Sequence, residues 1–269
     1  MKIATLSFEL QDDNMAISSD QRAQTIVDII EKNKPELLLC AGWAVETKEQ
    51  LIDIARKCKV IGSTTTALIE VENIVINPEP EFIKRNHKMH VISNSNELIE
   101  LGEQCFRSSS QLNEDKTGTL ISSLEENIQK RMFKLNDYNC LALCCGELNI
   151  LQGRNNISVR SKKIEQAILE ADIVLNPTHD GMANYGTLKK KREFLSQSIN
   201  NRNRIYINSS NWNTKKQRKT KLGEVKKFAK QSPMGIFMHS VWVDGKRVDE
   251  QIIHDSKNEY HLRIYNINF

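Results

Sequence analysis

Apolar and polar residues alternate along this chain in blocks whose period switches between that of a strand and that of a helix. "KIATLSF" at the start is a short, nearly continuous apolar run, the pattern of a buried strand. Over residues 21–32, Ala23, Ile26, Val27 and Ile30 recur at helical spacing. "ELLLCAGW" predicts the next strand, a helix follows over residues 47–57 with Thr47 as its N-cap, and "KVIGSTT" predicts a third strand. "ALIEVENIVINPEPEFIKRNHKMHVIS" divides into two strands at Pro78 and Pro80.

Residues 94–130 interrupt this rhythm with a polar stretch rich in Ser, Glu and Asn, which predicts a short helix over 97–105 and then a mobile excursion. The alternation then resumes. "RMFKLNDYNCLALCC" predicts two strands around "NDYN", a helix covers 160–170, and "ADIVLNPT" is a buried strand. A helix over 186–198, the strand "RIYINSSNW" and a hairpin over 235–253 turning at Asp244 and Gly245 complete the pattern. Strands alternating with helices imply an α/β fold, and with no internal repeat or low-complexity linker the economical reading is one domain over 1–269 with a polar insertion at 94–130.

Composition changes this picture little: 39% hydrophobic and 27% charged residues are ordinary for a globular protein. The opening "MKIATLSFEL" has no signal-peptide pattern and no apolar run is long enough to span a bilayer, so the expected setting is cytoplasmic, with no membrane partner. There the six cysteines are expected to be free thiols, and their scattered spacing suggests no metal site and no cofactor. The net charge of +4 is mild but uneven: between Thr214 and Lys230 eight basic residues face one acid. Lys215, Lys216, Arg218 and Lys219 lead that run and offer a weak nucleic-acid surface, although a solvated loop and helix face explains them as well.

Several predicted strands carry their chemically interesting residues at the carboxyl end: "ELLLCAG", "KMH", "CLALCCGE" and "DIVLNPTHD". In α/β sheets that edge is where loops diverge and sites are built. Taken alone, each cysteine is as well explained as a small buried hydrophobe.

In order and spacing these segments resemble the nitrilase superfamily of carbon-nitrogen hydrolases. "KIATLSFELQDDN" is similar to the family's first strand and loop, "NIVINPEPEFIKRNHKMHVI" to the hairpin leading to its catalytic lysine, and "LALCCGELN" to its nucleophile strand. "EADIVLNPTHD", "NRNRIYINSSNWN" and "GIFMHSVWVDGKRV" resemble the strands beyond. The resemblance implies a four-layer αββα sandwich, a small-molecule amide substrate and a homodimer paired through helices near 160–170 and 186–198. It makes Cys145 the nucleophile, since Glu147 stands two positions on, with Cys144 turned into the core, and it makes Lys88 the cation that stabilises the oxyanion.

One position departs from the family. Where the general-base glutamate belongs, this chain has Ala41 and Gly42. A glycine there suggests a void beside the thiol with room for a restored glutamate. Substitute bases are then sought in Glu46, His179 and Asp180, while Gly42, Trp43 and Glu147 are expected to line the pocket and Asn211 and Trp212 its rim. Two functions stay open: an amidase-like hydrolase with a relocated base, or a catalytically degenerate nitrilase-type protein that binds a ligand or a partner protein.

Overall fold

The computed structural model describes residues 1–11, 14–72, 74–78, 81–85, 87–180, 185–212, 217–219, 225–227, 238–255 and 259–268. The first half of the chain runs β1 (Lys2–Phe8), α1 (Ser19–Asn33), β2 (Leu37–Cys40), α2 (Lys48–Val60), β3 (Thr66–Val71), β4 (Lys88–Ile92) and β5 (Leu98–Glu103). The second half runs α3 (Ser109–Glu114), α4 (Thr119–Asn127), β6 (Met132–Leu135), β7 (Tyr138–Ala142), α5 (Lys162–Glu170), β8 (Ile173–Asp180), α6 (Tyr185–Ser196), β9 (Ile205–Asn211), β10 (His239–Val243), β11 (Lys246–Arg247), β12 (Gln251–Asp255) and β13 (Tyr260–Asn266). Both early helices begin as their sequences dictate. Ser18 with Gln21, and Thr47 with Gln50, form reciprocal capping boxes that satisfy the first free N–H groups.

Two mixed sheets result. The first is seven-stranded in the order β12-β13-β1-β2-β3-β4-β5, the second six-stranded in the order β6-β7-β8-β9-β10-β11. Each has a parallel centre, β1-β2-β3 in one and β7-β8-β9 in the other, flanked by antiparallel strands. Period-two alternation divides the side chains of each sheet between two layers. Leu37, Leu39 and Leu68 from one sheet and Cys140, Ala142, Ile173 and Leu175 from the other fill the layer between the sheets. Leu38, Cys40 and Ile69 face outward onto α1 and α2, while Leu141 and Val174 face outward onto α4 and α5. The architecture is therefore helix, sheet, sheet, helix, as expected.

Local differences have physical causes. Residues 59–60 end α2 instead of starting a strand, and β3 begins only at Thr66, where pairing with Leu37 of β2 becomes available. The helix expected over 97–105 is instead β5, because Leu98–Glu103 completes the open edge of β4. The remainder of the polar stretch 94–130 is largely ordered, with α3 and α4 packing Leu112 and Leu124 into the outer core of the second sheet. At the expected turn, Asp244 and Gly245 both adopt positive φ, 49° and 74°, and join β10 to β11. Residues 251–255, however, cross to the first sheet and pair with β13. Residues 74–78 and 81–85 pair as a hairpin at the expected prolines. No helix among the described residues is long and apolar enough to cross a membrane. Lys215 and Lys216 lie outside the described residues, and of Arg218 and Lys219 only the backbone, in a two-stranded ribbon, is described.

Candidate active site

The parallel strands of both sheets point their carboxyl ends at one region between the sheets, and sequence parity decides which side chains enter it. On β3, Leu68 faces the second sheet, so Glu70 two positions later faces it as well. On β7 and its extension, Cys140 and Ala142 face inward and Cys144 continues the series. His179 shares its parity with the inward Ile173 and Leu175 of β8. These three side chains meet. Cys144 Sγ lies 3.1 Å from Glu70 Oε1, and Glu70 Oε2 lies 2.7 Å from His179 Nε2. Their potential metal-ligating atoms all fall within 4.8 Å of one another.

Cys145 breaks the alternation. Its φ of +36° is rare for a side-chain-bearing residue and turns the chain out of the strand into a short 3-10 helix over Cys145–Ile150. Glu147 pins this corner. Its Oε2 accepts the Cys144 N–H at 2.8 Å, and its Oε1 accepts the Cys105 N–H at 2.8 Å and the Arg131 guanidinium at 3.0 Å. Arg131 and Glu147 are both fully buried. Gly146 is required by packing, since a Cβ there would stand 2.1 Å from the Arg107 carbonyl oxygen. Outside the fully buried inner layer, the half-buried Cys145 thiol lies near enough to His179 to bear on the charge of its ring.

A ring cluster closes the other side. Trp43 stacks on His179 with centroids 4.6 Å apart and planes 16° from parallel, and His87 lies 4.7 Å from His179. Trp43 reaches this position through a left-handed backbone conformation, φ 60°, from which its N–H donates to Glu70 Oε2 at 2.9 Å. Asn211 at the end of β9 fixes the preceding residue by donating to the Gly42 carbonyl at 2.6 Å.

Charge follows from this packing. Burial alone would push the Glu70 carboxyl up, but the His179 charge and hydrogen bond, with His87 and the Cys144 thiol, hold it down at about 2. Burial would likewise suppress charge on His179, yet Glu70 and Cys145 outweigh it and raise the imidazole to about 10. Burial first, then the negative charges of Glu70 and Glu147, push the Cys144 thiol well above the ordinary range. The arrangement thus holds a carboxylate–imidazolium pair, with one thiol kept protonated below it and a second, half-buried thiol on the more open side.

The residues singled out from sequence occupy contrasting places. His179, Trp43, Gly42, Cys145 and Asn211 come together here. The void expected at Gly42 does not exist, because a Cβ there would meet His179 Cδ2 at 2.2 Å and Glu70 Oε2 at 2.8 Å. Lys88 shares its parity with His90 and not with Met89, which faces the layer between the sheets. Its Nζ pairs with Glu100 at 3.1 Å and Glu103 at 3.9 Å on the neighbouring strand. Glu46 starts the approach to α2 and pairs with Arg22 at 3.5 Å. Glu147 is buried in the corner described above. The Asp180 side chain lies outside the described residues. Sequence reasoning missed Glu70, His87 and Arg131. For Glu70 a signal existed: a lone acid in "TALIEV" at the same parity as Leu68.

Comparison with protein-family models and with curated protein sequences finds no match. Solved structures match over the whole chain. An amidase from Nesterenkonia sp. AN1 superposes with a TM-score of 0.53 at 10% identity, covering 100% of this chain and 93% of that one. A variant of that amidase showing the result of Michael addition of acrylamide at its active-site cysteine gives 0.54, again at 10% identity with 100% and 93% coverage. The glutamine-dependent NAD(+) synthetase of Cytophaga hutchinsonii gives 0.51 at 10% identity over 98% of this chain and 42% of that one. The chain therefore has the nitrilase-type carbon-nitrogen hydrolase fold.

Proposed function

We propose that this protein is a thiol-dependent carbon-nitrogen hydrolase acting on a small amide, with Cys145 as nucleophile, His179 as its acid and base, and Glu70 orienting His179. The observation that supports this reading most strongly is the buried His179–Glu70 pair, 2.7 Å long, beside the strand end that carries the half-buried Cys145. A thiolate–imidazolium pair oriented by a buried carboxylate is a sufficient acyl-transfer device on unrelated folds. In this reading the imidazole occupies the volume that a side chain at Gly42 would otherwise fill, so the proton acceptor is supplied from β8 and not from the end of β2.

The sequence of steps follows from the groups present. The Cys145 thiolate attacks the amide carbon and the carbonyl electrons move to oxygen. The His179 imidazolium then protonates the departing nitrogen as the carbon-nitrogen bond breaks, leaving a thioester and a neutral imidazole. That imidazole takes a proton from water, the hydroxide attacks the thioester, and the carboxylic acid leaves as the thiol is restored. Throughout, Glu70 fixes the ring through Nε2 and stabilises each imidazolium that forms.

One observation favours the second reading, a nitrilase-type binding protein without turnover: Lys88 is engaged with Glu100 and Glu103, while Gly42 carries no carboxylate. Ammonia release from short aliphatic amides separates the two. The hydrolase releases ammonia in a reaction abolished by Cys145→Ala and slowed roughly 10²- to 10⁴-fold by His179→Gln, the usual worth of positioned acid-base catalysis. A folded wild type that releases none from any amide in the series would leave the binding reading standing.

A further inference from the structure

We infer that Glu70, Cys144 and His179 form a site for one Zn²⁺ ion, with the fourth position open, and that filling it switches off the hydrolase proposed above. The switching clause rests on that functional reading; the binding clause does not. Three strands from two sheets deliver one carboxylate, one thiol and one imidazole to the same buried point, with Sγ 3.1 Å from Oε1 and Nε2 2.7 Å from Oε2. Zinc bound tetrahedrally by sulfur at about 2.3 Å, nitrogen at about 2.0 Å and carboxylate oxygen at about 2.0 Å spreads its ligands to roughly 3.3–3.6 Å apart. Both separations fall a few tenths of an ångström inside that spacing and run to different oxygens of Glu70, so rotation of the carboxylate to present one oxygen admits the ion.

The surroundings match such a site. Trp43 N–H holds Glu70 Oε2 at 2.9 Å, and Glu147 holds the Cys144 backbone N–H at 2.8 Å, fixing two ligands from behind. The fourth position is left to water, as in other three-ligand zinc sites. One thiolate, one imidazole and one carboxylate select a borderline-soft divalent ion; Mg²⁺ and Ca²⁺, which take oxygen ligands, do not fit. An ion there consumes the His179 imidazole on which the proposed hydrolysis depends, so zinc occupancy and hydrolysis exclude one another.

The test uses the full chain after chelator treatment, titrated anaerobically with Co²⁺ as a spectroscopic stand-in for Zn²⁺. The expected result is one Co²⁺ per chain with a thiolate-to-metal charge-transfer band, displaced by Zn²⁺ and untouched by excess Mg²⁺. Cys144→Ser should weaken binding at least tenfold and remove the thiolate band, while Cys145→Ala should retain both the binding and the band. Thermal melting identifies a variant that has not folded, and in that case the wild-type band together with Cys145→Ala decides alone. No thiolate band in the wild type, or a band unchanged in folded Cys144→Ser, overturns the site. Alkylation of Cys145 in metal-free protein reports separately on the nucleophile. Lost metal binding with intact alkylation sinks only the zinc inference, and the reverse sinks only the hydrolase.

Discussion

A Cβ placed on Gly42 would stand 2.2 Å from His179 Cδ2, so the imidazole fills the space that any side chain at the end of β2 would need. Gly42→Glu should therefore fail to add a base and should instead displace His179. The expected outcome is a lower melting temperature, with a loss of about 1–3 kcal/mol or more from overpacking, and no gain in amide hydrolysis. The double substitution Gly42→Glu/His179→Gly vacates the contested volume and should recover part of the lost melting temperature. Melting curves of the single and double variants check this, and a stable, more active Gly42→Glu would contradict it.

The buried carboxylate–imidazolium pair gives the metal-free protein a distinct stability profile. The Glu70 carboxyl is held down at about 2, so its contribution is present above the ordinary carboxylate range and is lost as pH falls toward 2. The His179 imidazole is raised to about 10, so its contribution is complete below the ordinary histidine range and is lost as pH rises through 10. Glu70→Gln removes both and leaves His179 without its counter-charge. Urea melts from acid to alkaline pH should show a loss of about 3–5 kcal/mol near neutrality for this variant and a flatter profile than the wild type.

Arg131 and Glu147 form a second buried pair, 3.0 Å apart, under the corner that carries Cys145. Arg131→Leu strands the Glu147 carboxylate and should cost about 3–5 kcal/mol. Arg131→Leu/Glu147→Leu removes both charges and should regain much of that stability. Without Glu147 to hold the Cys144 N–H, however, the corner loses its register, so the double variant should remain slow in hydrolysis. Chemical denaturation and amide turnover measured on the same preparations test this separation of stability from activity.

Lys88 tests the opposite case. Its pairs with Glu100 and Glu103 are partly exposed and worth at most about 1 kcal/mol. Lys88→Met should leave melting nearly unchanged and alter amide turnover less than twofold. A large fall in turnover at unchanged stability would show that the lysine enters the reaction.

Most strands were legible because their apolar runs and turn residues are local signals, and so was the cap at Thr47, whereas Ser18, whose capping box with Gln21 starts α1 at Ser19, went unread. Residues 98–103 misled because "LIELGE" carries leucines at helical spacing, and only the open edge of β4 makes it a strand. Cys145 and His179 were visible at strand ends. Their partner Glu70 was not, since its importance arises from two sheets facing each other, and a lone glutamate within an apolar strand gives no local sign of what lies opposite. The place of Lys88 beside a family motif is likewise local, while the face it presents, toward Glu100 and Glu103, is set by the parity of β4.

The most direct measurement is site-resolved alkylation of the metal-free protein by iodoacetamide at neutral pH, followed by mass spectrometry. Cys144, Cys140 and Cys40 are fully buried, whereas the Cys145 thiol is half-buried on the side of the charged His179 imidazole. Cys145 should be modified first, and His179→Gln should slow that modification several-fold while leaving the other cysteines unchanged. Earlier modification of Cys144, or a Cys145 rate indifferent to His179→Gln, would contradict the assignment of Cys145, His179 and Glu70 as the reacting set.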